Sequence, residues 1–326
     1  MKNILYLSIL LLISCTANFA AEEKEEVNSN GTKALGQLSV KASQLVDKNG
    51  QPAILRGISY GWHNWWPRFY NANTVKIFKD DWNVNLVRAA MGVEPEGGYL
   101  NKPDWSVEKI KTVVDAAIAE DIYVIIDWHS HNIKQDEAIS FFTEMAQLYG
   151  DKPNIIYEIF NEPEKQSWEE VKAYSIEVIK AIRKHDPDNI ILVGSPNWCQ
   201  DIHIAADDPI EGFDNLMYTL HFYAATHKEG LRERGDYALS KGLPLFVSEC
   251  ASMEASGDGE IDHESWNAWV NWMEENKLSW VTWSVADKNE TCSMFLPSAS
   301  ETGPWSDDDI KPWGHIARET ITAKQQ

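Results

Sequence analysis

Cysteine is scarce in this chain. Four cysteines in 326 residues (Cys15, Cys199, Cys250 and Cys292), with no tight spacing, make neither a disulfide framework nor a zinc site. Positive charge is scarce as well: 29 lysines and arginines stand against 50 aspartates and glutamates, a formal net charge of -21. Nucleic-acid binding needs a basic footprint, so that class is excluded and a neutral or non-anionic partner fits; the bland role of such charge is solubility. Long apolar runs are lacking, since the stretch from Ile4 to Ile13 is too short to span a bilayer as a stable helix. A glycine-rich phosphate turn is lacking too. After the first strand candidate stands Gly61-Trp62-His63-Asn64-Trp65-Trp66, which cannot cradle a phosphate as a doubly wound open sheet does. No repeat, low-complexity linker or shift of composition divides the chain, so we read one domain.

What is present is a globular composition, 44% hydrophobic and 24% charged. The 15 tryptophans suit a protein that stacks flat rings on sugars, although indoles also fill cores and rims. At the start, Lys2, the apolar core Ile4 to Ile13 and Ser14-Cys15 form a targeting segment. Leu12-Ile13-Ser14-Cys15 resembles a bacterial lipobox, in which Cys15 is lipidated and becomes the mature N-terminus. Ordinary cleavage near Ala20-Ala21 is the competing expectation, and it lacks the small residue three before the cut. Glu22-Glu23-Lys24-Glu25-Glu26 and Asn28-Ser29-Asn30-Gly31 then read as a solvated tether. The expected layout is a signal peptide over 1–15, an acidic tether over 16–36 and one folded domain over 37–326. The expected location is outside the cytoplasm, as an outer-membrane or cell-surface lipoprotein or a secreted or periplasmic protein. With Cys15 lipidated, three cysteines remain, and one bridge among them stays open.

Leu38 to Val46 and Ala53 to Tyr60 flank Asp47-Lys48-Asn49-Gly50, and Asn-Gly between apolar segments predicts a hairpin. Beyond it the chain alternates. Strand candidates are 54–59, 84–89, 122–128, 154–160, 190–193, 216–222, 245–248 and 280–285. Helical stretches follow them near 74–82, 107–119, 137–149, 168–185, 202–206, 231–240, 263–276 and 313–321. The strands are continuous apolar runs, as parallel strands buried on both faces require. Eight strand–helix units in about 270 residues predict a (β/α)8 barrel, with a short N-terminal hairpin. A doubly wound open sheet is the structural alternative.

In such a barrel the active site lies at the carboxyl ends of the strands. Those ends carry Arg88, Asp127-Trp128-His129, Asn161-Glu162, His221-Phe222-Tyr223, Glu249 and Trp283. Each alone has a structural explanation; together they mark a functional rim. The run Ile155-Ile156-Tyr157-Glu158-Ile159-Phe160 ends in Asn161-Glu162-Pro163, where proline marks the strand's exit. Leu245-Phe246-Val247-Ser248 likewise delivers Glu249. Strands four and seven lie nearly opposite in an eight-strand ring, so the two carboxylates face each other. That is the equipment for glycoside hydrolysis by double displacement, with one protonated acid and one anion. Arg88 would hold Glu249 ionised. His221 and Tyr223 share one strand face; Tyr223 would donate to the nucleophile and His221 would poise the acid/base. Asn161 would bind a hydroxyl beside the reacting carbon.

On these residues the chain resembles glycoside hydrolase family 5, in its bacterial endo-β-1,4-glucanase branch, from about Gln37 to the C-terminal helix. The resemblance implies Glu162 as acid/base, Glu249 in Phe246-Val247-Ser248-Glu249 as nucleophile, and supporting roles for Arg88, His129, Asn161, His221 and Tyr223. It implies Trp283 as the floor beneath the reacting sugar. Through Trp283-Ser284-Val285-Ala286-Asp287-Lys288-Asn289-Glu290 it implies Lys288 and Glu290 as ligands on the non-reducing side. Trp65 and Trp66 belong to a stacking platform there, and Trp198 to one on the leaving-group side. Relatives often carry Ser-His-Gly after strand one, whereas here Gly61 takes the histidine's place and His63 is the candidate replacement. The implied substrate is β-1,4-glucan, with mannan, xyloglucan and mixed-linkage glucan as alternatives. No cofactor and no metal are expected, and the protein is expected to act as a monomer, touching a membrane only through a lipid on Cys15. No separate cellulose-binding module is evident, so strong binding to crystalline cellulose is not expected.

Two other classes compete. A metal-dependent barrel hydrolase would draw on Asp127, His129 and His131, since His-x-His on one strand face can chelate. A non-catalytic glycan-binding lipoprotein on a retired barrel would be expected to have lost a carboxylate, and both are present.

Overall fold

The computed structural model describes residues 31–325. The expected signal segment, Cys15 and most of the expected tether lie outside the described residues. The tether's last residues do not: α1 (Thr32–Leu35) belongs to the folded body. Thr32 is buried, its N–H donates to Asp121 O at 3.2 Å, and its hydroxyl accepts from Asn154 Nδ2 at 2.8 Å. Backbone pairing to the barrel's base, which composition does not show, moves the boundary.

Strands β1 (Ser39–Lys41) and β2 (Gln44–Val46) pair antiparallel. Their turn is at Ala42 and Ser43, with Ala42 left-handed at φ 54°, and not at Asn49-Gly50 as the dipeptide predicts. Asp47 to Gly50 forms its own turn, held by Asp47 Oδ1 on the Asn49 and Gln51 amides at 2.8 Å. Only an isolated bridge, Val46 to Pro52, follows it. Proline has no N–H to extend a ladder.

The eight predicted parallel strands are all present: β3 (Arg56–Tyr60), β4 (Leu86–Gly92), β5 (Tyr123–His129), β6 (Ile155–Glu158), β7 (Ile190–Val193), β8 (Leu216–Tyr223), β9 (Leu245–Ala251) and β10 (Trp280–Val285). They close into a barrel in which β10 pairs with β3. Helices α2 (Ala72–Trp82), α3 (Pro103–Ala119), α4 (Gln135–Tyr149), α5 (Trp168–Arg183), α6 (Pro196–Cys199), α7 (Ile202–Asp207), α8 (Glu229–Ser240), α9 (His263–Glu275) and α10 (Pro312–Lys324) follow the strands. Local chemistry sets their starts. Ser167 and Glu170 form a capping box on α5, and Asn71 accepts from the Thr74 amide at the start of α2.

Side chains alternate along each strand, so the barrel interior is layered. The lower part of the barrel is apolar: Leu86, Ile125, Ile156, Leu192, Met217, Phe246 and Val281 belong to one cluster. Leu38, Leu45 and Leu55 join it from the hairpin side and plug the barrel's base. Two residues further along their strands stand Arg88, Asp127, Glu158, Thr219 and Ser248, all buried. Above them His129, His221 and Trp283 reach the mouth.

Candidate active site

Register explains how Glu249 joins that mouth. Thr219 pairs with Phe246, but His221 pairs with Glu249; Trp280 pairs with Val247, but Thr282 pairs with Cys250. Strand β9 therefore carries one extra residue against both neighbours. A bulge of this kind re-aims side chains. Ser248 and Glu249, adjacent in sequence, both contact interior groups in consequence. On the other side, the chain leaving β6 keeps pairing with the β5 end, through Asn161 N to Trp128 O at 3.1 Å and Glu162 N to Ser130 O at 3.2 Å. Those bonds hold Glu162 over the barrel.

Oxygens of Glu162 and Glu249 and a nitrogen of His221 all lie within 4.8 Å of one another. Arg88 organises the layer beneath. Its Nη1 donates to Glu249 Oε2 at 3.1 Å, its Nε to Glu158 Oε2 at 2.7 Å and its Nη2 to Asn161 Oδ1 at 2.6 Å. Asp127 Oδ2 is 3.0 Å from the same Nη2 and 2.7 Å from His129 Nδ1. Burying one guanidinium among three carboxylates is tolerable only with this degree of pairing. Tyr223 donates its hydroxyl to Glu249 Oε1 at 2.8 Å. Burial, reinforced by the Glu249 charge, raises Tyr223 well above the ordinary phenol range, so it remains a donor. His221 Nδ1 is 3.0 Å from Glu162 Oε1, and His131 Nε2 is 3.5 Å from Glu162 Oε2.

Burial raises each glutamate. At Glu162 the His221 hydrogen bond and the charges of His221, His131 and Arg88 outweigh that burial and bring the carboxyl down. At Glu249 burial and the Glu162 charge push up, against the pull of His221, Arg88 and Tyr223. Taken singly those shifts favour the proton on Glu249. The two groups titrate as one pair, however, and ionising one opposes ionising the other. Both Glu249 oxygens already accept from fixed donors, whereas among the described residues Glu162 Oε2 has no donor nearer than His131 at 3.5 Å. The proton of the pair therefore belongs on Glu162 Oε2 and the anion on Glu249.

The cleft has two lobes that meet at His131, Glu162 and Tyr223. One, of about 430 Å³, has Trp198, Gln200 and His227 in its wall. Trp198 sits in a left-handed turn, with Asn197, Trp198 and Cys199 at φ 57°, 55° and 60°, which presents its indole at 38% exposure. Non-glycine residues rarely adopt this conformation, and it costs about 1–3 kcal/mol each. The other lobe, of about 190 Å³, is walled by Trp62, Trp65, Trp66, Trp283, Lys288 and Glu290. Trp283 stacks flat on His129, with centroids 5.1 Å apart and planes at 2°. Lys288 pairs with Glu290.

One predicted ligand is not there. His63 is fully buried, takes the Gly92 amide on Nδ1 at 3.0 Å and pairs its Nε2 with Ser106 Oγ at 2.8 Å. Both nitrogens are spent inside the loop. Trp62, one residue earlier, faces the cleft instead, edge-on to His129 at 4.3 Å. Glu158 and Ser248 also escaped the sequence reading. The signal for Glu158 was an acid inside an apolar run, which must be paired if buried. Asp127, His129 and His131 do not form a chelating set, because His129 Nδ1 is taken by Asp127 and the two imidazole centroids are 6.4 Å apart. Glu162, His221 and Glu249 are close enough for an ion, but both nitrogens of His221 already face protein partners. The three described cysteines are buried and unbridged.

Residues 46–289 match the family model for cellulase, glycosyl hydrolase family 5. The chain belongs to glycoside hydrolase family 5. It is 43% identical over 293 residues to an endoglucanase of Clostridium saccharobutylicum, covering 88% of this chain and 65% of that one, so it spans just under two thirds of that relative. A solved structure from Cytophaga hutchinsonii is 45% identical, with a TM-score of 0.89 over 90% of this chain and 97% of that one. A variant of the Thermobifida fusca endoglucanase catalytic domain, solved in complex with cellotetraose, is 31% identical, with a TM-score of 0.85 over 89% of this chain and 99% of that one.

Proposed function

We propose that the protein is an endo-acting, retaining hydrolase of β-1,4-glucosidic bonds in cellulose and related β-glucans. The observation that carries the mechanism is the approach of Glu162 and Glu249 within 4.8 Å. Carboxyl groups about 5–5.5 Å apart suit double displacement, whereas inversion needs room for a water between them. Glu249 attacks the anomeric carbon while Glu162 protonates the departing oxygen; Glu162 then deprotonates the water that releases the sugar. Endo action is supported by a cleft with aromatic walls on both sides of Glu162. Glucan as substrate is supported by the endoglucanase relatives and by the cellotetraose complex of the Thermobifida fusca domain. A product profile on carboxymethylcellulose, lichenan, xyloglucan, xylan and mannan tests it. Rapid loss of viscosity with short β-1,4-gluco-oligosaccharides is expected, and preference for mannan or xylan would overturn the substrate.

Export with lipidation at Cys15 is proposed as well, supported by Lys2, the apolar core to Ile13 and the lipobox-like Leu12-Ile13-Ser14-Cys15. Labelled palmitate should enter the wild type and not Cys15→Ala.

A further inference from the structure

Ser248 and Glu158 lie beneath the acid/base and take no part in the steps above. Ser248 Oγ is 2.6 Å from Glu158 Oε1 and 2.8 Å from His221 Nε2. All three residues are buried. Glu158 Oε2 accepts from Arg88 Nε at 2.7 Å, which keeps Glu158 an anion. A carboxylate only accepts, so the single hydroxyl hydrogen of Ser248 points at Glu158. Ser248 must then accept from His221, and Nε2 carries a hydrogen. The nitrogen left to gain or lose a proton is Nδ1, which faces Glu162.

The geometry points to Ser248 and Glu158 as positioning residues for the acid/base: through Ser248, the Glu158 carboxylate holds His221 as an imidazolium whose Nδ1–H occupies Glu162 Oε1. The transferable proton is thereby confined to Glu162 Oε2, the oxygen toward His131 and the cleft. This rests on the hydrolytic reading above. In the first step the Oε2 proton passes to the glycosidic oxygen. The bond from that oxygen to the anomeric carbon breaks, its electron pair stays on the oxygen, and Glu249 forms the new bond to carbon. Glu162 is left as a carboxylate paired with the imidazolium. In the second step water loses a proton to Oε2 as its oxygen bonds the anomeric carbon and the bond to Glu249 breaks. His221 keeps both protons throughout, and its charge favours Glu162 as a donor in one step and as a paired anion between steps.

The surroundings of His221 support that charge. Glu158 and Glu162 face it from β6 and its extension, Glu249 from β9 and Cys199 from α6, while Arg88 and Asp127 lie in the layer below. Burial alone would lower the imidazole, but the Glu158 and Glu162 hydrogen bonds and the Glu249 charge raise it well above its ordinary range.

Ser248→Ala removes the link with one atom, and Ser248→Thr restores the hydroxyl. The test pairs kcat/KM on two aryl β-cellobiosides, one with a dinitrophenyl and one with a phenyl leaving group, with 15N spectra of labelled histidine. A poor leaving group needs the acid and a good one does not. Ser248→Ala should slow the phenyl substrate about 10- to 100-fold more than the dinitrophenyl one, lower the pH at which His221 Nδ1 loses its proton, and be rescued by Ser248→Thr. Equal loss on both substrates, or an unchanged His221 titration, overturns the proposal. Should the wild type cleave neither cellobioside, the hydrolytic reading fails, while the histidine spectra still decide the charge on His221.

Discussion

Arg88 Nη2 donates to Asn161 Oδ1 at 2.6 Å, while the Asn161 Nδ2 amide, equally buried, meets no acceptor among the described residues. A buried donor without a partner costs free energy unless something arrives to accept from it. Arg88 fixes which end of the amide is left over, and we predict that the orphan N–H donates to a sugar hydroxyl. Asn161→Ala should lower kcat/KM about 100-fold, a loss of about 2.7 kcal/mol. The loss should shrink on an aryl glucoside lacking the 2-hydroxyl, because hydrogen bonds there strengthen in the transition state. Equal losses on both substrates would assign Asn161 to holding Arg88 only.

The two glutamates should fail differently. Glu249→Gln removes the nucleophile and should abolish turnover on every substrate. Glu162→Gln removes the acid, so it should slow unactivated glucans about 10²- to 10⁴-fold and spare the first step on a dinitrophenyl cellobioside. The wild-type first product, followed by proton NMR, should be the β-anomer. An α-configured first product would refute the retaining assignment.

The indoles on either side of Glu162 should separate binding from chemistry. Trp65 is 52% exposed and Trp198 38%, so neither is held in the core. Trp65→Ala and Trp198→Ala should each raise KM on long oligosaccharides roughly tenfold, about 1.4 kcal/mol, with kcat on short activated substrates little changed. Trp62 packs edge-on against His129, so Trp62→Ala should depress kcat as well. Uniform losses with all three variants, alongside a lowered melting temperature, would indicate structural roles.

The barrel was legible because its strands are apolar runs of regular spacing, and the rim because strand ends are where chemistry collects. Glu162, Glu249, Arg88 and Tyr223 were readable for that reason, and the structure brings them together. Ser248 was not readable: alternation gives neighbouring residues opposite faces, and only the bulge in β9 turns Ser248 and Glu249 to the same side. The hairpin turn was misplaced for a related reason. Asn49-Gly50 does make a turn, but backbone pairing closes at Ala42 and Ser43. His63 was misassigned because residue type does not show which way a loop side chain faces.

That last correction has a thermodynamic signature. Burial, aided by the charge of Lys109, lowers His63 to about 3, and its Nδ1 accepts the Gly92 amide, which requires a neutral ring. The unfolded chain carries an ordinary imidazole, protonated below pH of about 6.5. Between about pH 6.5 and 3 the unfolded state therefore binds the extra proton, and stability falls as pH falls, by at most about 1.4 kcal/mol per pH unit from this group. Above pH of about 6.5 the contribution is complete. His63→Gln cannot take up a proton, and denaturant unfolding across this range should show a shallower loss on acidification. Because His63 does not line the cleft, KM for cellohexaose at neutral pH should stay within about twofold of wild type, under about 0.5 kcal/mol. A large rise in KM with an unchanged pH slope would return His63 to the substrate site.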